Sequence, residues 1–442
     1  MEDDGKTNLL RLLTQVNRAG LSQEVPEDNL RLRPIGPNEK LSRREFFRMV
    51  KPRYEVIPFI DNAACGMAQG CLLCVENCPL HAIVSENREK RIEKRLCSGC
   101  GACVTACPRG AVVYPTFSPE ELDREMEGLL HDAPPGLQPR MIAITCREEG
   151  DEPSGYPGNL LPLRVPCLAL VSPWMLLRAF DRGAQGIAII PGKRGCRMDC
   201  DLARWERNAG FLRELLKAWS VEPGRIQFFK PGDDRDGDME RELEAFARKV
   251  EALPPTGLRP FQTKGIREKA PSLAALLQDV SAKLGLSQTG TVARGSAPFG
   301  IVEVDSSRCT GCGLCALDCP TEALTLLRKG EDDSYRILFQ HGLCVGCGLC
   351  RKFCPEQCLS VERGLDLDKI GKGPSILFED RISRCRDCGI PLFPQAMIGR
   401  LGTKMSVAGN ALWALDLCPV CRLKRPLVGE MHADNLTKEV TV

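Results

Sequence analysis

The sequence predicts a multidomain chain of mixed α+β and α/β class. Two small cysteine-rich α+β domains flank a small central parallel α/β domain, and a compact four-cysteine module follows. Three observations predict it. Four runs of closely spaced cysteines, each ending in Cys-Pro, occur as two pairs, one within residues 65–108 and one within 309–355. Between residues 141 and 229, short apolar segments alternate with amphipathic ones, the pattern of strands joined by crossover helices. Two further Cys-x2-Cys pairs, at 385 and 418, stand apart near the C-terminus.

Composition narrows the chemistry. With 442 residues, 43% of them hydrophobic, the chain is long enough for several cores. Its 25 cysteines fall in tight groups, unlike the spread of a short secreted disulfide scaffold, and read as thiolate metal ligands in a reducing cytoplasm. A net charge of +2 and 5% aromatic content give no basis for a nucleic-acid or membrane-surface partner. The most apolar stretch, "LLPLRVPCLALVSPWMLL", carries Arg164 and three prolines and is not expected to span a bilayer. "SRREFFRMV" at 42–50 has the look of a twin-arginine export motif, but "KPRYEVIPFIDNAACGM" after it lacks the apolar stretch that export requires. Residues 1–52 are therefore expected to be a helical segment, with "TNLLRLLTQV" as an amphipathic helix able to pack on this chain or on a partner.

The first cysteine-rich domain is expected over 53–117 and the second over 301–365. In the second, "CTGCGLCALDCP" supplies Cys309, Cys312, Cys315 and Cys319, and "CVGCGLCRKFCP" supplies Cys344, Cys347, Cys350 and Cys354. Each run is C-x2-C-x2-C-x3-C-P, the bacterial two-cluster ferredoxin pattern, in which the fourth cysteine of one run ligates the cluster of the other. The spacing thus assigns Cys309, Cys312, Cys315 and Cys354 to one 4Fe-4S cluster and Cys344, Cys347, Cys350 and Cys319 to a second. Glycines between the cysteines allow close backbone approach. The proline suits the first turn of a helix. Zinc explains a single CxxC pair but not this double register.

The first domain repeats the unit with "CSGCGACVTACP" (Cys97, Cys100, Cys103, Cys107) and "CGMAQGCLLCVENCP" (Cys65, Cys71, Cys74, Cys78). Five residues separate Cys65 from Cys71, and position 68 is alanine. Cys65 is expected to reach the iron through the enlarged loop, with a three-iron cluster as the alternative. After the fourth cysteine the runs read "CPLHAI", "CPRGAV", "CPTEAL" and "CPEQCL", so Cys358 occupies the slot of Ala82, Ala111 and Ala323 and is expected to pack, not ligate.

The central domain is expected over 138–230. "MIAITC", "LRVPC", "GIAII" and "RIQFF" read as buried strands, and "SPWMLLRAFDRG" and "WERNAGFLRELLKAW" as helices. Functional groups gather at the carboxyl ends of parallel strands. Cys146 and Cys167 each close a strand there, and Cys196 and Cys200 follow a third, so the four are expected to converge; scattered core cysteines are the alternative. "MERELEAFARKVEAL" and "SLAALLQDVSAKLGL" are amphipathic, and 231–300 reads as a helical linker.

"VPC" followed by a helix, "LLRAFDRGAQGIAII", and a Gly-Cys loop ending "DC" resemble the delta subunit of methyl-viologen-reducing hydrogenase, the iron-sulfur partner of heterodisulfide reductase. The resemblance spans the stretch from "MIAITC" to "RIQFF". It implies a 2Fe-2S cluster on Cys146, Cys167, Cys196 and Cys200.

At the C-terminus, residues 376–430 are expected to form a zinc-ribbon-like module, with Cys385, Cys388, Cys418 and Cys421 holding one zinc ion; rubredoxin-type iron is the rival. Nothing in the sequence outlines a catalytic centre. His81, His131, His341 and His432 are isolated, and phosphate and dinucleotide fingerprints are missing. Four 4Fe-4S clusters, one 2Fe-2S cluster and one zinc therefore predict an electron-transfer subunit of a larger anaerobic oxidoreductase, working in a hetero-oligomer with an electron donor or acceptor protein and a catalytic redox subunit that is a hydrogenase, a molybdopterin enzyme or a heterodisulfide-reductase-like flavoprotein. The alternatives are an iron-sulfur sensor or assembly factor, and a flavin-binding central domain.

Overall fold

The computed structural model describes residues 56–66, 70–87, 89–131, 136–146, 156–191, 202–229, 238–258, 271–286, 290–328, 333–407 and 415–424. The N-terminal segment 1–52, Cys196 and Cys200 lie outside them, as does His432.

In the first cysteine-rich domain, β1 (Phe59–Ile60) precedes α1 (Leu73–Glu76), the hairpin β2 (Ile83–Glu86) and β3 (Glu89–Ile92), α2 (Ala102–Ala106) and β4 (Val112–Val113). β1 and β4 pair antiparallel, so the outer strands close the unit around its two helices. A longer helix, α3 (Pro119–His131), buries Leu122, Met126 and Leu130 at helical spacing and leads into the central domain.

The central sheet places β5 (Met141–Cys146) between β6 (Leu160–Val165) and β7 (Gly186–Ile190). α4 (Pro173–Asp181) crosses from β6 to β7, and α5 (Leu202–Ala218) crosses from β7 to β8 (Ile226–Phe228). All pairs are parallel, in the order β6-β5-β7-β8. Ser172 caps α4 by accepting from the Met175 N–H at 3.3 Å, and Pro173 occupies its first turn. The central strands are buried on both faces, as parallel sheets require.

One sequence expectation changes here. The helix α6 (Asp238–Glu251), read as part of a linker, lays Leu243, Phe246, Ala247 and Val250 on Met141, Ala143, Leu160 and Ala188, and so covers one face of the sheet. Its period reveals an apolar face but not which surface that face meets. α7 (Leu273–Lys283) also packs instead of bridging: Lys283 pairs with Asp181 of α4, and the Trp174 indole N–H donates to the Pro271 carbonyl at 2.8 Å.

The second cysteine-rich domain repeats the first. β9 (Thr291–Val292) precedes β10 (Gly300–Val304), α8 (Leu314–Leu317), the hairpin β11 (Leu324–Arg328) and β12 (Ser334–Phe339), α9 (Leu349–Lys352), β13 (Leu359–Arg363) and β14 (Leu365–Asp366). β10 pairs with β13 and β9 with β14. β15 (Ser375–Arg384) then adds to β12, and β16 (Pro391–Pro394) adds to β15, giving the sheet β11-β12-β15-β16. The C-terminal module therefore continues the ferredoxin hairpin, and α10 (Gln395–Val407) and α11 (Pro419–Lys424) complete it.

Candidate iron-sulfur and metal sites

The cysteine loops owe their shape to recurring left-handed positions. The glycine pairs Gly99 and Gly101, Gly311 and Gly313, and Gly346 and Gly348 all have positive φ, which side chains disfavour. Each pair leads into a short helix whose first turn carries the third cysteine of its run. Three residues after the fourth cysteine, every run turns left-handed again, at His81, Gly110, Glu322 and Gln357. The next position is buried in all four: Ala82, Ala111, Ala323 and Cys358. Cys358 thus fills the same small slot as the alanines.

These loops collect the thiols into four groups, each of which draws its fourth member from the partner run. Burial pushes the Cys315 thiol up to about 12, and Cys312, Cys309 and Cys354 add to the effect; this is site I. Burial likewise raises Cys350 to about 12, with Cys344, Cys347 and Cys319 among the contributors, in site II. Cys74 is raised by burial, against the attraction of Lys90, with Cys107, Cys65 and Cys71 around it in site III. Burial raises Cys103 to about 12, beside Cys100, Cys97 and Cys78, in site IV. Cys65 thus comes within electrostatic reach of Cys74 despite its longer loop.

In each group one buried thiol, that of Cys315, Cys350, Cys74 or Cys103, resists ionisation on its own. Cationic iron reverses that balance by binding the thiolates, so the donor sets fit iron-sulfur clusters. One cavity is lined by Cys309, Cys312, Cys315 and Cys354, and another by Cys78, Cys97, Cys100 and Cys103. Backbone N–H groups already point at sulfur: Ala82 donates to Cys78 at 3.2 Å and Gly99 to Cys97 at 3.4 Å.

In the central domain, Cys146 ends β5, and its Sγ–H donates to the Pro166 carbonyl at 3.4 Å, next to Cys167. Both cysteines stand at the carboxyl edge of adjacent parallel strands. β7 ends at the same edge, where Thr145 pairs with Ile190.

At the C-terminus, the sulfurs of Cys385, Cys388, Cys418 and Cys421 all lie within 4.8 Å of one another. The Cys418 N–H donates to Cys385 Sγ at 3.3 Å and is the main reason that thiol falls to about 6. The Cys421 N–H donates to Cys418 Sγ at 3.3 Å. Four thiolates so gathered fit a tetrahedral ion of the zinc or ferrous type. The first pair sits in the turn between β15 and β16, whereas the second opens α11, so only one of the two knuckles lies on a hairpin.

Sequence reasoning missed three residues at these sites. Lys90 is buried and donates from Nζ to the Cys71 carbonyl. The Tyr114 hydroxyl donates to the Gly99 carbonyl at 3.0 Å, and that of Tyr335 to the Gly311 carbonyl at 2.5 Å, so each ferredoxin domain ties one cysteine loop with a tyrosine. Lys90 lies between charged neighbours in "EKRI", and no local pattern marks it as buried.

Fold and thiol geometry together define an iron-sulfur electron-transfer protein. Residues 67–112 and 302–361 each match a 4Fe-4S dicluster domain family, and residues 143–254 match the family described as methyl-viologen-reducing hydrogenase, delta subunit. The chain is 27% identical over 133 residues to the vhu iron-sulfur subunit of the F420-non-reducing hydrogenase of Methanocaldococcus jannaschii, covering 28% of this chain and 98% of that protein. The vhc iron-sulfur subunit of the F420-non-reducing hydrogenase of Methanococcus voltae is 27% identical over 100 residues, 20% of this chain and 68% of the relative. One subunit of the ferredoxin/F(420)H(2)-dependent CoB-CoM heterodisulfide reductase of Methanosarcina acetivorans is 28% identical over 202 residues, 42% of this chain. That match spans 25% of the reductase polypeptide's own length. Among the described residues, no helix is long and apolar enough to cross a membrane.

Proposed function

We propose that this chain is the cytoplasmic electron-relay subunit of a hetero-oligomeric oxidoreductase, carrying electrons between a redox donor and a catalytic subunit of the hydrogenase or heterodisulfide-reductase class. The observation that carries the reading is the fourfold repetition of one device: three thiols from one loop and a fourth from the partner run. Sites I to IV are assigned one 4Fe-4S cluster each, Cys146, Cys167, Cys196 and Cys200 a 2Fe-2S cluster, and Cys385, Cys388, Cys418 and Cys421 a structural zinc. Bound clusters supply one-electron redox centres. The chain supplies thiolates, N–H groups aimed at sulfur and burial, the levers that set potential. The relatives are named as hydrogenase and reductase subunits, which supports the choice of partner class.

The test is anaerobic affinity purification of the chain from its own cells, with iron, sulfide and zinc counted per chain. Co-purification of a stoichiometric catalytic subunit, with iron for four cubanes, is the expected result. A solitary chain without cubane iron would overturn the proposal.

A further inference from the structure

The four sites have an order in space that their order in the chain does not show. Sites I and II share the second ferredoxin domain, and sites III and IV share the first, each pair linked by its exchanged fourth cysteines. The seam between the two domains falls between sites II and III. Arg109, two residues after Cys107 of site III, donates from Nε to the carbonyl of Ala64 at 2.7 Å and from Nη1 to the carbonyl of Pro320 at 3.0 Å. Ala64 precedes Cys65 of site III, and Pro320 follows Cys319 of site II. One guanidinium therefore clamps the backbone beside both sites. In the same seam a β-carbon at Gly70, next to Cys71, would stand 3.0 Å from the ring of Phe353.

Site IV faces the other way. Cys100, Ala102, Cys167 and Ala169 form one buried apolar cluster, which joins site IV to the cysteine edge of the central sheet. Thr105 of α2 donates its hydroxyl to the Ala169 carbonyl at 3.3 Å. A β-carbon at Gly101 would lie 2.3 Å from the Leu170 side chain, so only glycine permits this approach.

We propose that the chain is a single unbranched relay, running from site I through sites II, III and IV to the Cys146 and Cys167 edge, with Arg109 holding the II-to-III crossing. The proposal deepens the function proposed for the chain and rests on it. Single electrons pass along the series from a donor redox protein at one end to an acceptor redox protein at the other, and no bond is made or broken within the chain. Partners are served at the two ends, and sites II and III are interior. Arg109 is a positioning residue: it touches backbone carbonyls, and its guanidinium serves to keep the two domains in register.

The test is electron paramagnetic resonance of the full chain, anaerobically reconstituted and reduced stepwise with dithionite, with iron content measured in parallel. The fully reduced protein is expected to show spin coupling between sites II and III. In Arg109→Ala that coupling is weakened while iron content and the coupling within each domain are unchanged. In Cys74→Ser, with site III removed, sites I and II remain a coupled pair and site IV becomes magnetically isolated from them. Four cubanes without II–III coupling, or coupling of site IV to site II that survives Cys74→Ser, overturns the relay order alone. Fewer than four cubanes in the unsubstituted chain overturns the order together with the function beneath it.

Discussion

The Sγ atoms of Cys354 and Cys358 lie 3.5 Å apart on the wall of one cavity. Their places in the fold separate their roles, because Cys354 is the fourth cysteine of its run and Cys358 fills the slot taken by alanine in the other three. Cys358→Ala is expected to leave the cubane iron intact, whereas Cys354→Ser is expected to lose the iron of site I or degrade it to a three-iron form. Iron and sulfide analysis with Mössbauer spectroscopy checks this. Equal iron loss in both variants would make Cys358 a ligand.

Lys90 places a buried cation against the loop of site III. A reduced cluster carries one more negative charge than an oxidised one, so a nearby cation favours reduction. Lys90→Met is expected to lower the potential of site III by tens of millivolts, since about 59 mV corresponds to a tenfold change for a one-electron couple. A redox titration followed by electron paramagnetic resonance reads the shift. Four potentials all unchanged would remove Lys90 from the tuning of the site.

Tyr335→Phe deletes the donor to the Gly311 carbonyl and leaves that oxygen buried without it. An unsatisfied buried acceptor costs about 1–3 kcal/mol. Anaerobic denaturant unfolding is expected to show a loss of that order with cluster iron retained, and Tyr114→Phe the same in the first domain, where Gly99 is the acceptor.

How much of this was legible depends on how far apart the interacting residues lie. Ligand spacing is local, so the cysteine runs could be read directly. β5 and β7 fall on the segments "MIAITC" and "GIAII" because each is a short apolar run bounded by punctuating residues. β6 begins at Leu160, ahead of the expected "LRVPC", and includes Pro162; it is an edge strand, where a missing N–H is tolerated. Arg109 finds Pro320 across 211 residues and Lys90 finds Cys71 across 19, and side-chain type alone does not encode such partners. The packing of α6 on the sheet was hidden for the same reason.

The C-terminal module has little apolar core apart from its cysteines. Its buried members are Cys385, Leu417, Cys418 and Cys421, with Leu392 packed beside them, so three of the four are themselves thiol donors. Binding energy is folding energy in such a unit. Chelation is expected to release one zinc per chain and to raise amide hydrogen exchange across 385–394 and 415–424, with Cys421→Ser having the same effect. Iron in place of zinc on elemental analysis would select the rubredoxin-type alternative.

Asp123 of α3 joins the first ferredoxin domain's trailing helix to the central domain. Its carboxylate accepts from Arg178 at 2.7 and 2.8 Å and from Arg182 at 2.8 Å twice. Burial pushes the carboxyl up, but the hydrogen bonds and charges of the two arginines outweigh it and hold the pKa at about 2. A folded pKa below the unfolded value, about 3.9, means that the stabilisation is complete above roughly pH 4 and is lost as pH falls toward 2. Its size is about 2–3 kcal/mol. Thiolate-bound iron is acid-labile in the same range, so the parent chain alone does not isolate the effect. Asp123→Asn shares that lability and lacks the titration, so the difference in unfolding free energy between the two proteins is expected to shrink between pH 4 and pH 2 and to stay flat from pH 5 to 7. A difference that stays constant to pH 2 would show that the carboxylate's charge contributes nothing to the junction.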